Sequence, residues 1–328
     1  MQVSVSLNAR TKGSSVSHTS RIAVARRFGP PEVITIEEHP VPKTDPGHVL
    51  VAVRIGGLNP VDARRRAGTF GGSPPLVFGT EFAGVVIESA DAAWRPGDEV
   101  IGFGVNGGDA DAVIAPGSQL QAKPAEIPWE VAGGLSGVGQ AALTALDSLS
   151  LDRDNLIVVH GAAGGVGTVL TQFAVAQGLR VIGTGSEERR DYLRTLGAIP
   201  VAYGPGLAKR LADAADGAPI AASIDLAGTA EAGDTGLAVR AAGGQSITMV
   251  PETMQSHGIK FVQVQRSNTR LRQLLDAVVT GSLTFPVETV PFKDIVEAHR
   301  RLDAKHARGK LVLDLSDNPL LLGKGEAS

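Results

Sequence analysis

The chain has 328 residues, a formal net charge of −3 and 43% hydrophobic residues. Its length allows two domains with a sizeable core, and its small net charge disfavours nucleic acid or an anionic membrane surface as a partner. It contains no cysteine, which excludes disulfides, thiolate zinc sites, iron–sulfur clusters and a cysteine nucleophile.

The N-terminal segment, residues 1–20, is polar and rich in Ser and Thr. It lacks the apolar stretch of a secretory signal, so we interpret it as a flexible extension and expect a cytoplasmic location by default. No apolar run in the chain is long enough to cross a bilayer, so no membrane association is expected.

Residues 21–130 are predicted to be mostly β-structure. β-Branched residues cluster or alternate along this part, and Pro and Gly residues mark the turns between the clusters. The clearest predicted strands are Ile22–Ala25, Glu32–Ile36, Val49–Val53 and Gly84–Ile87.

Near Pro128 the pattern changes to strands that alternate with helices. A helix interrupted by glycines is predicted over Trp129–Leu149, and later helices over Thr168–Gln177 and Glu187–Leu196. The strands in this part are predicted at Leu156–Val159, Arg180–Gly183, Ile199–Ala202, Ala222–Leu226, Ser246–Val250 and Phe261–Val264. Such alternation produces right-handed strand–helix–strand units and a parallel, doubly wound sheet.

The C-terminal part returns to β-structure. A helix is predicted after residue 267 with Asn268 as its N-cap, and the pattern after Gly281 is again that of strands, ending in Lys310–Leu315. We therefore predict that an α/β domain, residues 131–270, is inserted into a β-rich domain formed by residues 21–130 and 271–328.

A glycine-rich loop follows the first strand of the α/β domain and leads into a helix. Within it, Ala162, Gly164 and Gly167 occupy the three glycine positions of a dinucleotide fingerprint. Gly164 would let the backbone approach the pyrophosphate, and Gly167 would let the helix pack closely on the strand. Backbone N–H groups and the helix dipole would hold the anion. The predicted cofactor contacts in the loop are Ala163, Gly164, Gly165, Val166 and Gly167, whereas His160 is interpreted as structural.

The next strand ends in Thr184-Gly185-Ser186 and carries no carboxylate there. An acid at this position binds the free 2′-hydroxyl of NAD, so its absence favours NADPH. We predict that Thr184, Ser186 and Arg189 contact the cofactor, with Arg189 as the main partner of the 2′-phosphate. Two alternatives remain open: the segment 187–190 is only a solvated helix start, or one of its two glutamates turns inward to the ribose of NADH.

Several segments, taken in order, resemble the quinone oxidoreductase-like, zinc-independent branch of the medium-chain dehydrogenase/reductase family. The loop Ala162–Gly167 is similar to the Ala-Ala-Gly-Gly-Val-Gly loop of that branch. The other segments that resemble family motifs are Gly57–Asp62, Gly79–Gly84, Arg95–Val100, Ala298–Arg300 and His306–Val312. The resemblance covers about residues 21–315. It implies a GroES-like catalytic domain with an inserted Rossmann domain, NADPH in the cleft between them, and a homodimer.

The resemblance also implies roles for individual residues. Asn59 would line the nicotinamide end of the cofactor and is the main catalytic candidate, with Asp62 as a weaker one. The alternatives are that Asn59 forms a turn before Pro60 and that Asp62 is a structural acid at a helix N-terminus. Tyr203 would lie on the adenine side of the cofactor, or it serves only packing. Further candidate cofactor contacts are Val250, Val264 and Lys310.

Three positions depart from the family pattern. Thr80 stands where zinc alcohol dehydrogenases carry a histidine ligand, and the chain has no cysteine, so no metal site is predicted. Phe70 replaces a tyrosine that many relatives carry, which puts a phenolic proton donor at that place in doubt. Ala141 replaces a threonine whose hydroxyl could face the nicotinamide or the substrate.

These features favour a zinc-free, NADPH-dependent reductase that transfers hydride to a quinone or a related conjugated carbonyl. A quinone delocalises the charge that it gains and can take its proton from solvent, so the protein acts mainly by positioning. One alternative is an enoyl or enone reductase of a biosynthetic pathway, against which Phe70 argues mildly because a placed acid helps that reaction. Another is an NADPH-binding structural or regulatory protein with little turnover.

Overall fold

The computed structural model describes residues 18–304 and 309–322, which fall into two compact units. The first unit comprises residues up to 137 together with 267–279 and those from 287 onward; the second comprises 138–266 and 280–286. Residues 1–17 of the predicted extension lie outside the described residues. Thr19 and Ser20, which we predicted within it, belong instead to a strand, because their backbones pair with Pro40 and His39.

Strands are numbered β1 to β16 and helices α1 to α10 in chain order. The strands are β1 (Thr19–Ala25), β2 (Ile34–Pro40), β3 (His48–Gly57), β4 (Leu76–Val77), β5 (Glu81–Ser89), β6 (Glu99–Phe103), β7 (Ala112–Pro116), β8 (Leu120–Ala122), β9 (Leu156–His160), β10 (Arg180–Gly185), β11 (Ile199–Ala202), β12 (Ile220–Asp225), β13 (Gln245–Thr248), β14 (Lys260–Phe261), β15 (Val287–Pro291) and β16 (Lys310–Asp314). The helices are α1 (Pro60–Ala67), α2 (Trp129–Asp147), α3 (Gly165–Ala176), α4 (Arg190–Thr195), α5 (Leu207–Ala215), α6 (Ala230–Ala241), α7 (Pro251–His257), α8 (Asn268–Val279), α9 (Ile295–Asp303) and α10 (Pro319–Leu322).

The first unit is built around a seven-stranded sheet in the order β15-β16-β3-β5-β6-β8, with β7 also pairing with β3. The C-terminal strand β16 runs antiparallel to β3, with Val312 opposite Gly57. A smaller sheet has the order β2-β1-β4. The core of the unit contains Val49, Val51 and Val53 of the central strand, whose side chains share one face of the sheet; Leu50 and Ala52 on the other face are buried as well.

The second unit contains a six-stranded sheet in the order β11-β10-β9-β12-β13-β14. Every pairing in it is parallel. β9, the first strand of the unit, lies between β10 and β12, which is the order of a Rossmann fold. The structure therefore confirms the predicted fold class, a doubly wound parallel-sheet domain inserted into a β-rich domain.

Three predicted elements were wrong in detail. The last strand of the parallel sheet covers only Lys260–Phe261. The Val262 N–H still donates to the Thr248 carbonyl, but by Gln265 the backbone bonds to the Thr144 hydroxyl instead. Helix α2 runs through its glycines without interruption. The N-cap of α8 is Ser267, whose hydroxyl accepts the N–H of Arg270 at 3.2 Å, while the Asn268 amide donates to the carbonyl of Ser118.

The glycines of α2 are explained by close packing. A Cβ at Gly133 would lie 2.3 Å from the Ile55 side chain, and one at Gly137 would lie 2.5 Å from a carboxylate oxygen of Glu81. Neither position has room for a side chain. The helix keeps these residues because packing against β3 and β5 outweighs their lower helix propensity.

Candidate functional site

The glycine-rich loop joins β9 to α3 at the carboxyl end of the parallel sheet. Gly161 has a φ of 74°, and its N–H donates to the Thr184 hydroxyl at 3.3 Å. The Ala162 N–H donates to the Thr184 carbonyl at 3.1 Å. Thr184, a predicted cofactor contact, is thus buried and ties the loop to the end of β10.

The loop has the shape that a pyrophosphate requires. A Cβ at Gly167 would lie 2.3 Å from the carbonyl oxygen of Gly161, whereas one at Gly164 would meet only that oxygen, at 3.3 Å. Gly164 is the N-cap of α3, and the N–H groups of the first helical turn, residues 165–167, lack acceptors within the helix. The helix dipole adds positive potential there. The residues present therefore fit the diphosphate of a dinucleotide.

Arg189 lies beside the end of β10. Its Cβ is 3.5 Å from the place that a Cβ on Gly185 would occupy. Its guanidinium forms no hydrogen bond or ion pair with any residue in 18–304 or 309–322. The neighbouring Arg190 is paired with Glu187 at 2.9 Å. Arg189 is therefore available for a ligand, whereas Arg190 and Glu187 neutralise each other.

Other predicted cofactor residues lie at the same edge of the second unit. Ser186 is half-buried and precedes the turn that carries Arg189. Tyr203 is 60% exposed, and its N–H donates to the Gly185 carbonyl at 3.1 Å. Val250 is buried at the N-cap of α7, and Val264 is half-buried beyond β14. Their contacts with a cofactor stay predictions.

His160, at the end of β9, fits the structural interpretation. Its side chain is buried, and its Nδ1 lies 3.5 Å from the Thr184 hydroxyl oxygen. Burial lowers the pKa of the imidazole to about 4, because the charged form loses its hydration. A neutral ring adds no charge beside the phosphate loop.

A buried polar cluster lies in the first unit, where β3, β5, β16 and the start of α1 meet. The Lys310 ammonium donates to Glu81 Oε1 at 2.6 Å, to the Leu58 carbonyl at 2.7 Å and to Asn59 Oδ1 at 2.8 Å. The Asn59 amide in turn donates to Glu81 Oε1 at 2.9 Å and to the Gly57 carbonyl at 3.3 Å. The other carboxylate oxygen of Glu81 accepts the Gly137 N–H.

These bonds limit what the cluster can offer to a ligand. Both hydrogens of the Asn59 amide are used, and its Oδ1 already accepts the Lys310 ammonium and, in the capping box, the Asp62 N–H. All three hydrogens of the Lys310 ammonium have internal acceptors. We predicted Lys310 as a cofactor contact; the structure shows it as the group that fixes Asn59, and a contact with the cofactor stays a prediction.

Asp62 lies in the first turn of α1, in agreement with the alternative prediction that it is a structural acid at a helix N-terminus. Its Oδ2 accepts the Asn59 N–H at 2.8 Å, and it is the third residue of the helix, which is the arrangement of a capping box. Burial raises its pKa to about 6, while the Asn59 N–H and Lys310 lower it. A direct catalytic role for Asp62 stays a prediction.

The sequence analysis missed two acids of this region. Glu81 lies in the recognised segment Gly79–Gly84, but only its neighbour Thr80 was considered there. Asp109 is fully buried and interacts electrostatically with Asp62, Glu81 and Lys310. An acid among small and apolar residues, Gly108-Asp109-Ala110, was the available signal.

The cluster does not fit a zinc ion. The Lys310 ammonium occupies the Glu81 carboxylate and would repel a cation. Asn59 and Thr80 are poor zinc ligands compared with cysteine and histidine. Among residues 18–304 and 309–322, no group of three or more His, Cys, Asp or Glu side chains could hold a metal ion.

Two family models match the chain. The model of the alcohol dehydrogenase GroES-like domain matches residues 45–125, and the model described as zinc-binding dehydrogenase matches residues 206–313. The first match falls in the β-rich unit, and the second begins in the Rossmann unit and ends in β16.

Curated relatives are similar to the chain over part or most of its length. A quinone oxidoreductase of Rattus norvegicus is 34% identical over 179 residues, 52% of this chain and 54% of that protein. The chain thus aligns with about half the length of the first relatives that it matches. A chloroplastic NADPH-dependent alkenal/one oxidoreductase of Arabidopsis thaliana is 28% identical over 323 residues, 92% of this chain and 81% of that protein.

Solved structures agree with these matches. The quinone oxidoreductase of Coxiella burnetii is similar with a TM-score of 0.81 and 26% identity, over 91% of this chain and all of that one (100%). A mycobacterial protein complexed with NADPH has a TM-score of 0.78 and 26% identity, over 90% of this chain and 99% of that one. The motifs, the fold and these similarities together show that the chain belongs to the quinone oxidoreductase-like branch of the medium-chain dehydrogenase/reductase family.

Proposed function

We propose that the chain is an NADPH-dependent, metal-free reductase of quinones or related conjugated carbonyls. The observation that carries this proposal is the half-buried Arg189 beside the acid-free end of β10, which has no hydrogen-bond or ion-pair partner in the described part of the chain. A guanidinium recognises a phosphate well, and the absence of a carboxylate removes the group that selects NAD.

The residues of the chain would divide the work as follows. The N–H groups at the start of α3 bind the pyrophosphate, and Ser186 and Arg189 bind the 2′-phosphate. When bound, the nicotinamide supplies the hydride. Lys310 and Glu81 hold the Asn59 amide in one orientation, so that Asn59 can line the nicotinamide end of the cofactor in a fixed position. Phe70 provides no acidic proton, which suits a quinone because its reduced form takes protons from water.

Enones are the second substrate class. The similarity to an alkenal/one oxidoreductase covers most of the chain and favours this class. Reduction of a carbon–carbon double bond needs a proton on carbon, and the phenol that could deliver it is absent at Phe70. We therefore place quinones first.

The test is the oxidation of NADPH and NADH by the purified protein with a panel of benzoquinones, naphthoquinones, alkenals and an enoyl thioester. We expect turnover of quinones with NADPH and much less with NADH. Turnover of the enoyl thioester alone would favour the biosynthetic reductase. Tight NADPH binding without oxidation across the panel would contradict the proposal and favour a binding or regulatory protein.

We also propose a homodimer in the cytoplasm, acting on a small molecule rather than on nucleic acid. β14 lies at one edge of the six-stranded sheet, and an edge strand presents unpaired N–H and C=O groups that a second copy can pair. Across residues 18–304 and 309–322, no helix has the length and apolar character of a membrane span.

A further inference from the structure

Asp109 is a buried acid whose carboxyl group has no hydrogen-bond partner. Neither of its two oxygens is bonded to any described residue, and the side chain is fully buried. Its backbone is fixed, because its N–H donates to the Phe78 carbonyl and its carbonyl accepts the Ala23 N–H, both at 3.0 Å. A Cβ at Gly79 would lie 2.5 Å from Asp109 Oδ1, and one at Gly56 would lie 3.1 Å from it. The carboxyl group is thus enclosed by backbone.

Four titratable groups share this interior. Asp62, Glu81 and Lys310 all act on Asp109, and Arg65 acts on Asp62 from the side of α1. Three carboxyl groups therefore interact with one buried ammonium group, which is paired directly with Glu81. An ionised carboxylate in an apolar interior needs hydrogen-bond donors, and Glu81 has three, whereas Asp109 has none among the described residues. Burial and the neighbouring acids raise the pKa of Asp109 well above its usual range.

We propose that Asp109 is a positioning residue. As long as its carboxyl group is uncharged, it does not attract the Lys310 ammonium, which stays bonded to Asn59 Oδ1. When Asp109 ionises, it competes with Asn59 and Glu81 for the ammonium group. Lys310 then withdraws from Asn59 Oδ1, and the amide is held only by its own bonds to Glu81 and to the Gly57 carbonyl. This step moves one proton from Asp109 to solvent and changes no covalent bond other than that O–H. Its consequence for turnover rests on the proposed function, because it assumes that Asn59 contributes to the reaction.

The first measurement is the pH dependence of unfolding. An acid that stays protonated in the folded protein but ionises in the unfolded chain makes unfolding more favourable as pH rises. The effect begins at about pH 4, where an unfolded Asp ionises, and it raises the unfolding constant by up to about tenfold per pH unit until Asp109 itself ionises. We expect Asp109→Asn to lack this component, and Asp109→Ala to lack it too if the asparagine variant folds poorly. Asp45→Asn, the same change at an exposed position of the same unit, should follow the wild type. If the free energy of unfolding of the wild type and of both Asp109 variants changed with pH in the same way, the proposal that Asp109 is uncharged in the folded protein would be overturned.

The second measurement follows Asn59 directly. In protein labelled with ¹⁵N at asparagine, the Asn59 side-chain amide signal is identified by its absence in Asn59→Ser. We expect this signal to shift in alkaline solution in the wild type and to stay constant in Asp109→Asn. A constant signal in the wild type would contradict the coupling between Asp109 and Asn59.

The third measurement is the pH profile of quinone reduction. We expect kcat of the wild type to fall in the same alkaline range in which the Asn59 signal shifts, and Asp109→Asn to lack that fall, with KM for NADPH unaffected in both. An identical alkaline fall in both proteins would overturn the link to turnover. Absence of any reductase activity would count against the proposed function alone, because unfolding and the Asn59 signal do not depend on it.

Discussion

Lys310 and Glu81 form the ion pair on which the orientation of Asn59 depends. Their side chains are 3% and 0% exposed, so both charges have lost their hydration. The attraction within such a pair is offset by the cost of desolvation, and the pair contributes more to a defined geometry than to stability. Removing one partner is different, because it leaves the other charge buried and unpaired.

We expect Lys310→Met to lower the free energy of unfolding by about 3–5 kcal/mol, measured by chemical denaturation. The double variant Glu81→Gln/Lys310→Met, which removes both charges, should recover part of that loss. A loss below about 1 kcal/mol in the single variant, the range of an exposed pair, would show that the ammonium is not buried as described.

Arg189 is the residue that we expect to decide cofactor choice. A charge-assisted hydrogen bond to the 2′-phosphate contributes about 1.5–3 kcal/mol. We therefore expect Arg189→Ala to raise KM for NADPH by roughly 10- to 150-fold and to leave KM for NADH nearly unchanged, measured by steady-state kinetics with both cofactors.

Arg190→Ala is the matched control for Arg189. Arg190 is already paired with Glu187, so its removal should have little effect on either cofactor. Equal catalytic efficiency with NADH and NADPH in the wild type, or an Arg189→Ala variant that behaves like the wild type, would contradict this role.

At the scale of the element, the turn from β9 into α3 uses two glycines for different reasons. Gly167 lies against the backbone of Gly161 and Ala162, with no space for a Cβ, whereas the Cβ of a residue at position 164 would meet one oxygen only. Gly167 therefore serves the packing of the helix, and we expect Gly164 to serve the approach of the ligand.

Two alanine variants separate these reasons. Gly167→Ala should destabilise the protein by about 1–3 kcal/mol, the usual cost of overpacking, and lower its unfolding temperature. Gly164→Ala should unfold close to the wild type but bind NADPH more weakly, as followed by fluorescence titration. Equal losses of stability in both variants would contradict the division of roles.

At the scale of the whole molecule, each compact unit has its own core. The core of the first unit includes Val51 and Phe82, and that of the second includes Val158 and Ile182. In the polar cluster of the first unit, the Glu81 carboxylate is paired with Lys310. We expect full activity and an unchanged unfolding temperature after dialysis against a chelator, checked together with the metal content by atomic spectroscopy. Stoichiometric zinc, or activity lost on chelation and restored by zinc, would contradict metal independence.

Assembly is the second property at this scale. Two β14 edges paired across a twofold axis would extend the parallel sheet into a second copy. Light scattering at micromolar concentration should therefore give twice the mass of the chain, and Phe261→Pro, which removes an N–H from the edge, should shift the equilibrium toward the monomer. A monomeric mass for the wild type would refute the homodimer.

The sequence by itself determined the parallel domain and the glycine-rich loop. Strand–helix alternation and the glycine spacing at 161–167 are local properties, because they depend on the period of side chains and on backbone space within a few residues. The acid-free end of β10 and Arg189 were readable for the same reason. The residue at which β14 ends could not be predicted from the sequence, because the bond between Gln265 and Thr144 joins residues 121 positions apart.

Only the tertiary structure decided the polar cluster of the first unit. Lys310 and Glu81 are 229 positions apart and meet because β16 joins the sheet beside β3. Asp62 and Asn59 could be read as a helix start, but the partners of the Asn59 amide and the isolation of Asp109 depend on which strands lie together. Hydrogen bonds and burial are properties of neighbours in space, and the sequence orders residues only along the chain.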